Sequence, residues 1–371
     1  MNLRRTTILA LTSLILFACN TQEKKHKHGN DTHTHEATNP YVHEGPPTID
    51  VLYNGYVKPI EGKTFLPGAQ PDGARKAAST ISLIRTKDMV MVTDPGMTAE
   101  GDWDSLIHTM KNLGVSKEDV THVFISHHHP DHNTRVGVFP NATVVDFWAT
   151  YKNDDWNDHP DKFEISEGVT VVKTPGHTHE DASLLVETKA GTYFLTHMWW
   201  NDQFGPDKDP LAQDQATLDK NRAEWVHQVD WIVPGHGKMF KNPKKIERTI
   251  AEQEVLKASS VWIKNFNKGN VDYCVNHYTK DAVMTAKPFG TFKGGTAIDG
   301  FWDPFVKSGA GYLVYRNTIV KEINLTTVHL SSNWSMNVGE GIITKEEWVK
   351  GTDNVWLLKI DNFEVLKQYK E

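Results

Sequence analysis

The sequence predicts an α/β sandwich followed by an α+β domain. From about Ile49 to residue 252, short apolar strand patterns are interspersed with helical ones, as in a layered mixed fold. Beyond residue 252 the helical patterns come first and a run of alternating strand patterns follows, the α+β order. Within the first region, three short apolar strands each run into a tight turn and then a histidine.

A chain of 371 residues suffices for two domains with separate apolar cores. An apolar fraction of 38% and a charged fraction of 23% suit a soluble globular fold. The formal net charge of -7 argues against a general nucleic-acid binder, so no nucleic-acid partner is expected.

The N-terminus reads as a targeting segment. Arg4 and Arg5 precede an apolar run over residues 8–17 that is too short to span a bilayer as a mature helix. Leu16-Phe17-Ala18-Cys19 resembles a bacterial lipobox. That resemblance implies a signal peptide over residues 1–18, lipidation of Cys19 and a membrane anchor. With Asn20 rather than Asp after the cysteine, the expected address is the outer membrane. Residues 19–48 read as a polar tether holding His26, His28, His33, His35 and His43, either a zinc scavenger or a plain solvated linker. Cys274 is then the one other cysteine, so the exported fold has no intrachain disulfide.

The elements follow in order. Residues 80–86 and 89–93 read as paired strands around Lys87-Asp88. Trp103, Leu106, Ile107, Met110 and Leu113 recur at helical spacing, and Gly114 ends that run. Strands are expected over 120–126, 143–147, 169–173, 183–187, 192–196 and 231–233, with a helix over 214–227. Segments 148–161 and 199–209 read as loops over the cleft. Asn242-Pro243 opens a long helical pattern through Ile246, Ile250, Val255 and Trp262, with the domain boundary near residue 252. Helices over 271–278 and 297–307 precede strands over 313–323, 326–331, 334–339, 342–349 and 355–360.

The strongest chemical signal is His127-His128-His129-Pro130-Asp131-His132, directly after the apolar strand Val123-Phe124-Ile125. Imidazoles and a carboxylate at a strand end can converge on one point, and this donor set suits zinc. Pro175-Gly176-His177 and Pro234-Gly235-His236 repeat the strand, turn and histidine arrangement. Ligand sets packed this tightly can hold two metals.

Together these motifs resemble the metallo-β-lactamase superfamily, αββα hydrolases, over about residues 50–250. The spacing from Asp131 to His236 looks closest to the metallo-β-lactamase domain-containing protein 1 group. The resemblance implies a first zinc on His127, His129 and His177, and a second on Asp131, His132 and His236. It places Asp94, in Asp94-Pro95-Gly96, behind a ligand histidine. His128 lies between ligands without being one. His179 and Asp181 either line the cleft or are surface polar residues. Where the family carries a carboxylate bridging both metals, this chain carries His197. A neutral imidazole cannot bridge two ions in that way, so His197 is expected to bind the second metal, with weaker occupancy there. Trp199 and Trp200 are candidates for an apolar wall.

The implied chemistry is zinc-dependent hydrolysis of a small carbonyl substrate, a lactone, ester, thioester or β-lactam, by a metal-activated hydroxide. Asp131 would orient the nucleophile or move its proton. The competing readings are a metal-dependent phosphodiesterase or nuclease, and a non-enzymatic zinc-handling lipoprotein.

In the second domain, Trp262, Phe266, Tyr278, Asp281, Phe301-Trp302, Trp334, Trp348 and Trp356 form a pattern similar to the SnoaL-like, nuclear-transport-factor-2-like superfamily over residues 253–371. That resemblance implies a sheet curled around a cone-shaped pocket, with most aromatics serving as core. No acid–base pair stands out; His277 and His329 could face the pocket. The domain is expected to bind a ligand, shape the cleft or form a homodimer.

Overall fold

The computed structural model describes residues 43–65 and 73–369. The expected signal peptide, Cys19 and His26, His28, His33 and His35 lie outside the described residues.

Strands β1 (Thr48–Tyr53), β2 (Tyr56–Pro59), β3 (Arg75–Ala78), β4 (Ile81–Arg85) and β5 (Val90–Thr93) precede helix α1 (Asp102–Asn112). Strand β6 (His122–Phe124) leads into the one-turn helix α2 (Pro130–Asn133), then β7 (Thr143–Val145), β8 (Ala149–Lys152) and β9 (Asp155–Asp158). Strands β10 (Lys162–Ser166), β11 (Val169–Lys173), β12 (Ala182–Thr188) and β13 (Gly191–Thr196) follow, then helix α3 (Gln215–Trp225), β14 (Trp231–Pro234) and β15 (Phe240–Lys241). They form a seven-stranded sheet in the order β1-β4-β5-β6-β7-β8-β9 and a six-stranded sheet in the order β10-β11-β12-β13-β14-β15, beside the pair β2-β3.

The side-chain alternation of the strands sets the layers. Ile84, Met91, Phe124 and Val145 from the first sheet pack with Val171, Leu184, Leu195 and Val233 from the second, which places one core between the sheets. Their neighbours Leu83, Val90, Val92, Val123 and Ile125 point the other way, against Trp103, Leu106 and Met110 of α1. Val172, Phe194 and Ile232 do the same on the far face of the second sheet, against Leu218 and Trp225 of α3. The result is a helix–sheet–sheet–helix stack whose central strands are buried on both faces. Each fully buried side chain of the size of Leu83 or Phe124 stabilises the stack by roughly 1.5–3 kcal/mol.

The C-terminal region begins with α4 (Ile250–Asn267) and α5 (Val271–Asn276), then β16 (Tyr278–Lys287), β17 (Gly290–Lys293) and α6 (Gly295–Lys307). Strands β18 (Val314–Asn324), β19 (Thr327–Met336), β20 (Gly339–Lys350) and β21 (Trp356–Gln368) complete a sheet in the order β17-β16-β21-β20-β19-β18. Val255, Trp262 and Phe266 of α4 and Trp302 of α6 pack on its face in one core.

Several expectations are corrected. The helix expected from Asn242-Pro243 starts at Ile250, because Thr249 and Glu252 form a reciprocal capping box there. Asn242 instead holds a turn, donating to the carbonyls of Val226 and Val229. The segment 148–161, expected as a loop, contains the hairpin β8–β9. The expected strands 326–331 and 334–339 are largely one strand, β19, with a register shift between Leu330 and Ser332. Strand β16, which had no expected counterpart in the sequence, pairs in parallel with β21, so the sheet is mixed.

Candidate metal centre

The histidine-bearing turns of the sandwich meet at one end of the two sheets. β6 lies between β5 and β7 in parallel register, and its chain continues through Ile125 and Ser126 to His127. The preceding loop at Asp94 clamps this stretch: Asp94 Oδ1 accepts from the Ser126 amide at 2.7 Å. Asp94 itself takes a left-handed conformation, φ 46°, which short polar side chains tolerate. Two residues on, a side chain at Gly96 would collide with the Asp131 carbonyl, and the Met97 amide donates to that carbonyl at 3.1 Å. Pro130 opens α2 at its first position, where its missing N–H costs nothing, and that turn presents Asp131 and His132.

His177 follows β11 and His197 follows β13, while His236 follows β14, the parallel neighbour of β13. A side chain at Gly176 would collide with Leu218 of α3, and one at Gly235 with the His197 ring. Both glycines therefore permit close approach where the motif needs it.

The structure brings seven sequence-predicted residues together. His127, His129 and His177 form one group, Asp131, His132 and His236 a second, and His127, His132 and His197 a third, with the donor atoms of each group within 4.8 Å of one another. His129 Nδ1 lies 2.9 Å from His127 Nε2 and 3.1 Å from His177 Nε2. Asp131 Oδ2 lies 3.8 Å from His132 Nε2 and 3.7 Å from His236 Nε2. His197 Nε2 is 3.0 Å from His236 Nε2, and its ring centre is 4.4 Å from that of His127. His197 therefore stands between the first two groups.

The outward nitrogens are held from behind. His177 Nδ1 donates to Asp209 Oδ2 at 2.8 Å, His236 Nδ1 to the Ala78 carbonyl at 2.9 Å, and His132 Nδ1 to Asp94 Oδ2 at 3.0 Å. With Nδ1 donating, each Nε2 carries a lone pair toward the cluster. His132 Nε2 and His197 Nδ1 are buried without a hydrogen-bond partner among the described residues. Burial and then the neighbouring imidazoles hold His127 and His197 well below the ordinary histidine range. Burial and His177 take His129 down to about 4; burial and His132 take His236 down to about 3. His132 is the exception: burial opposes its protonation, but the Asp94 carboxylate outweighs it and raises the ring. A set of imidazoles, among them His127, His129, His197 and His236 held below the ordinary histidine range, and one carboxylate, with neighbouring inward donor atoms 2.9–3.8 Å apart, fits a divalent metal. Nitrogens 2.0–2.1 Å from one tetrahedral zinc lie about 3.3 Å apart.

His128 bonds to Asp146 Oδ2 at 3.0 Å and belongs to none of the three groups. Asp181 is buried under the His177 turn, accepting from the Thr178 amide and hydroxyl, and burial pushes its carboxyl up to about 7. The His179 side chain is exposed. Trp200 stands beside the cluster, its ring centre 5.8 Å from that of His236, while Trp199 packs in the outer core with Phe204. Asp209, not among the expected site residues, accepts from His177 Nδ1 and, at 3.0 Å, from Trp200 Nε1. The only signal was the acidic and polar stretch 207–222 before the last histidine.

Two facing sheets, flanking helices and histidine turns gathered at their strand ends define a class, and the chain belongs to the metallo-β-lactamase superfamily. It is accordingly a metal-dependent hydrolase. The model of that superfamily matches residues 75–196. The chain is 31% identical to metallo-β-lactamase domain-containing protein 1 of Xenopus laevis, over 58% of this chain and 89% of that protein. It is 31% identical to an N-acyl homoserine lactonase of Bacillus sp., over 28% of this chain and 46% of the lactonase, so it spans less than half of that relative. A solved structure of a Bacillus thuringiensis AiiA mutant, with N-decanoyl-L-homoserine bound at the active site, matches over 52% of this chain and 93% of that one, at 17% identity and a TM-score of 0.38.

Proposed function

We propose that this chain is a zinc-dependent hydrolase of a small carbonyl substrate such as a lactone, ester, thioester or β-lactam. The observation that carries the reading is the convergence of His127, His129 and His177 beside Asp131, His132 and His236, with the donor atoms of each group within 4.8 Å of one another. His127, His129 and His177 would hold the first ion; Asp131, His132 and His236, with His197, the second. Zinc, when bound, supplies a water acidified to a pKa of about 7 and positive charge for a developing oxyanion.

The chain's own groups do the rest. Asp131 is held ionised: burial raises its carboxyl, but the adjacent His132 and His236 bring it below the usual carboxylate range. It is placed to orient the attacking water and to take its proton on a carboxylate oxygen. Trp200, pinned through Nε1 to Asp209, forms an apolar wall that limits water beside the reacting centre. The lactonase relative supports a carbonyl rather than a phosphoryl substrate.

Lipidation of Cys19 and an outer-membrane address belong to the same proposal, as does a SnoaL-like, nuclear-transport-factor-2-like assignment for residues 253–371. The mostly sheet character of that region supports the latter.

An assay of purified protein against chromogenic esters and lactones, nitrocefin and bis(p-nitrophenyl) phosphate tests the reading. Turnover of an ester or lactone should vanish on chelation, return with zinc, and fall at least 100-fold in His129→Ala. Turnover confined to the phosphodiester, or turnover untouched by chelator, would overturn it. His197→Ala should release the weaker equivalent of zinc and retain the first.

A further inference from the structure

The C-terminal sheet and helices enclose a cavity of about 220 Å³. One water occupies roughly 30 Å³ of liquid, so the space suits an organic molecule rather than a single structural water. The walls are largely aromatic, including Trp262, Trp302, Trp334 and Trp348, and the exposed rings of Phe289 and Tyr369 stand among the lining residues. No lysine, arginine or histidine lines it among the described residues.

Two acids face this apolar space. Glu346 and Asp361 are directly opposed cross-strand partners on β20 and β21, 2% and 4% exposed. Glu346 accepts from the Tyr315 hydroxyl at 2.8 Å and from Trp348 Nε1 at 2.7 Å. Asp361 accepts from the Tyr278 hydroxyl, which accepts from Trp302 Nε1 at 3.2 Å. Every one of these donors is neutral, so the hydrogen bonds leave the negative charge uncompensated. Tyr278 and Tyr315 are the titratable groups facing the pair, and burial followed by the acids keeps both protonated. Burial and then Asp361 push Glu346 up to about 8, and burial pushes Asp361 up to about 6. The two carboxyls therefore resist ionising together. Opposed like-charged groups destabilise a sheet, and an apolar pair of similar volume would fill the core at least as well. A cation removes that cost, and aromatic faces add attraction for it.

We propose that this cavity is a binding site for an apolar primary amine in its ammonium form, its charge between Glu346 and Asp361 and its hydrocarbon body against the tryptophans. The site lies in the other domain from the metal centre and does not depend on the hydrolase reading.

Calorimetric titration of the zinc-loaded protein with 2-phenylethylammonium tests it, with 2-phenylethanol and 3-phenylpropionate as neutral and anionic counterparts. The ammonium should bind at least tenfold tighter than the alcohol, and the carboxylate should not bind. Binding should strengthen as pH rises from 6 to 8.5, where a primary ammonium stays charged, and should release protons near pH 7. Asp361→Asn should weaken the preference for the ammonium, and Glu346→Gln combined with Asp361→Asn should remove it, while zinc content stays unchanged and thermal stability does not fall. Equal binding of alcohol and ammonium, a preference surviving both substitutions, or no binding of any probe by the wild-type protein would overturn the proposal.

Discussion

His177 shows how single residues divide the work at the metal centre. Its Nδ1 is fixed by Asp209, so its Nε2 is free to face His129. The Asp209 carboxylate does this from behind while also anchoring Trp200. Outer partners of this kind govern metal affinity through the orientation and basicity of the ligand they hold. Asp209→Ala is expected to weaken zinc binding about 10–100-fold while leaving the fold intact. Competition against a chromogenic chelator, with circular dichroism as the folding control, measures it; unchanged zinc affinity would remove Asp209 from the site. His197 poses the sharper chemical question. An imidazole now stands where the resemblance leads one to expect a bridging carboxylate, and it leaves one buried nitrogen without a partner among the described residues.

At the level of elements, the turns that carry the histidines depend on backbone approach as much as on ligand chemistry. The loop at Gly96 sits directly on Asp131, so Gly96→Ala must move either that loop or α2. Overpacking of this sort costs roughly 1–3 kcal/mol, and here the displaced backbone carries two candidate ligands. Gly96→Ala is therefore expected to lose second-site zinc before the protein unfolds, which metal analysis after gel filtration reads directly; full retention of both equivalents would contradict the close contact.

The sequence exposed these turns because the histidines, glycines and prolines are local in the chain. It exposed the central strands because apolar residues run through them. The hairpin β8–β9 was hidden, since Trp156 and its neighbours are exposed and polar and carry no burial pattern. The start of α4 was hidden because Ile246 and Ile250, which extended the apparent helical period, are both exposed, whereas the cap lies at Thr249. Asp209 was invisible because it meets His177 across 32 positions of sequence. The pairing of Glu346 with Asp361 was equally so, since strand register decides it and a lone acid in an alternating strand reads as solvent-facing.

Across the whole molecule, a polar seam joins the sandwich to the C-terminal sheet and its helices. Lys162 Nζ donates to the Tyr315 carbonyl at 2.6 Å, and Arg316 reaches Asp161, Glu224 and the Lys173 carbonyl. Lys264 of α4 pairs with Glu164 of β10. Burial and then Arg316 lower the Lys162 ammonium to about 8. Its folded pKa lies below its unfolded one, so between about 8 and 10.5 the unfolded chain holds more protons, and stability should rise with pH across that window. The rise should be smaller in Lys162→Met than in the wild-type protein, as read by denaturant titration from pH 7.5 to 10. Parallel curves for the two proteins would show that the seam leaves Lys162 unperturbed.

If the loops that converge from both sheets bind divalent metal, the ions should be visible between their side chains. Anomalous diffraction at the zinc edge, from crystals grown with excess zinc, would locate them. One strong peak is expected among His127 Nε2, His129 Nδ1 and His177 Nε2, and a weaker one among Asp131, His132, His197 and His236. A well-ordered cluster with no anomalous peak between those side chains would contradict metal binding there.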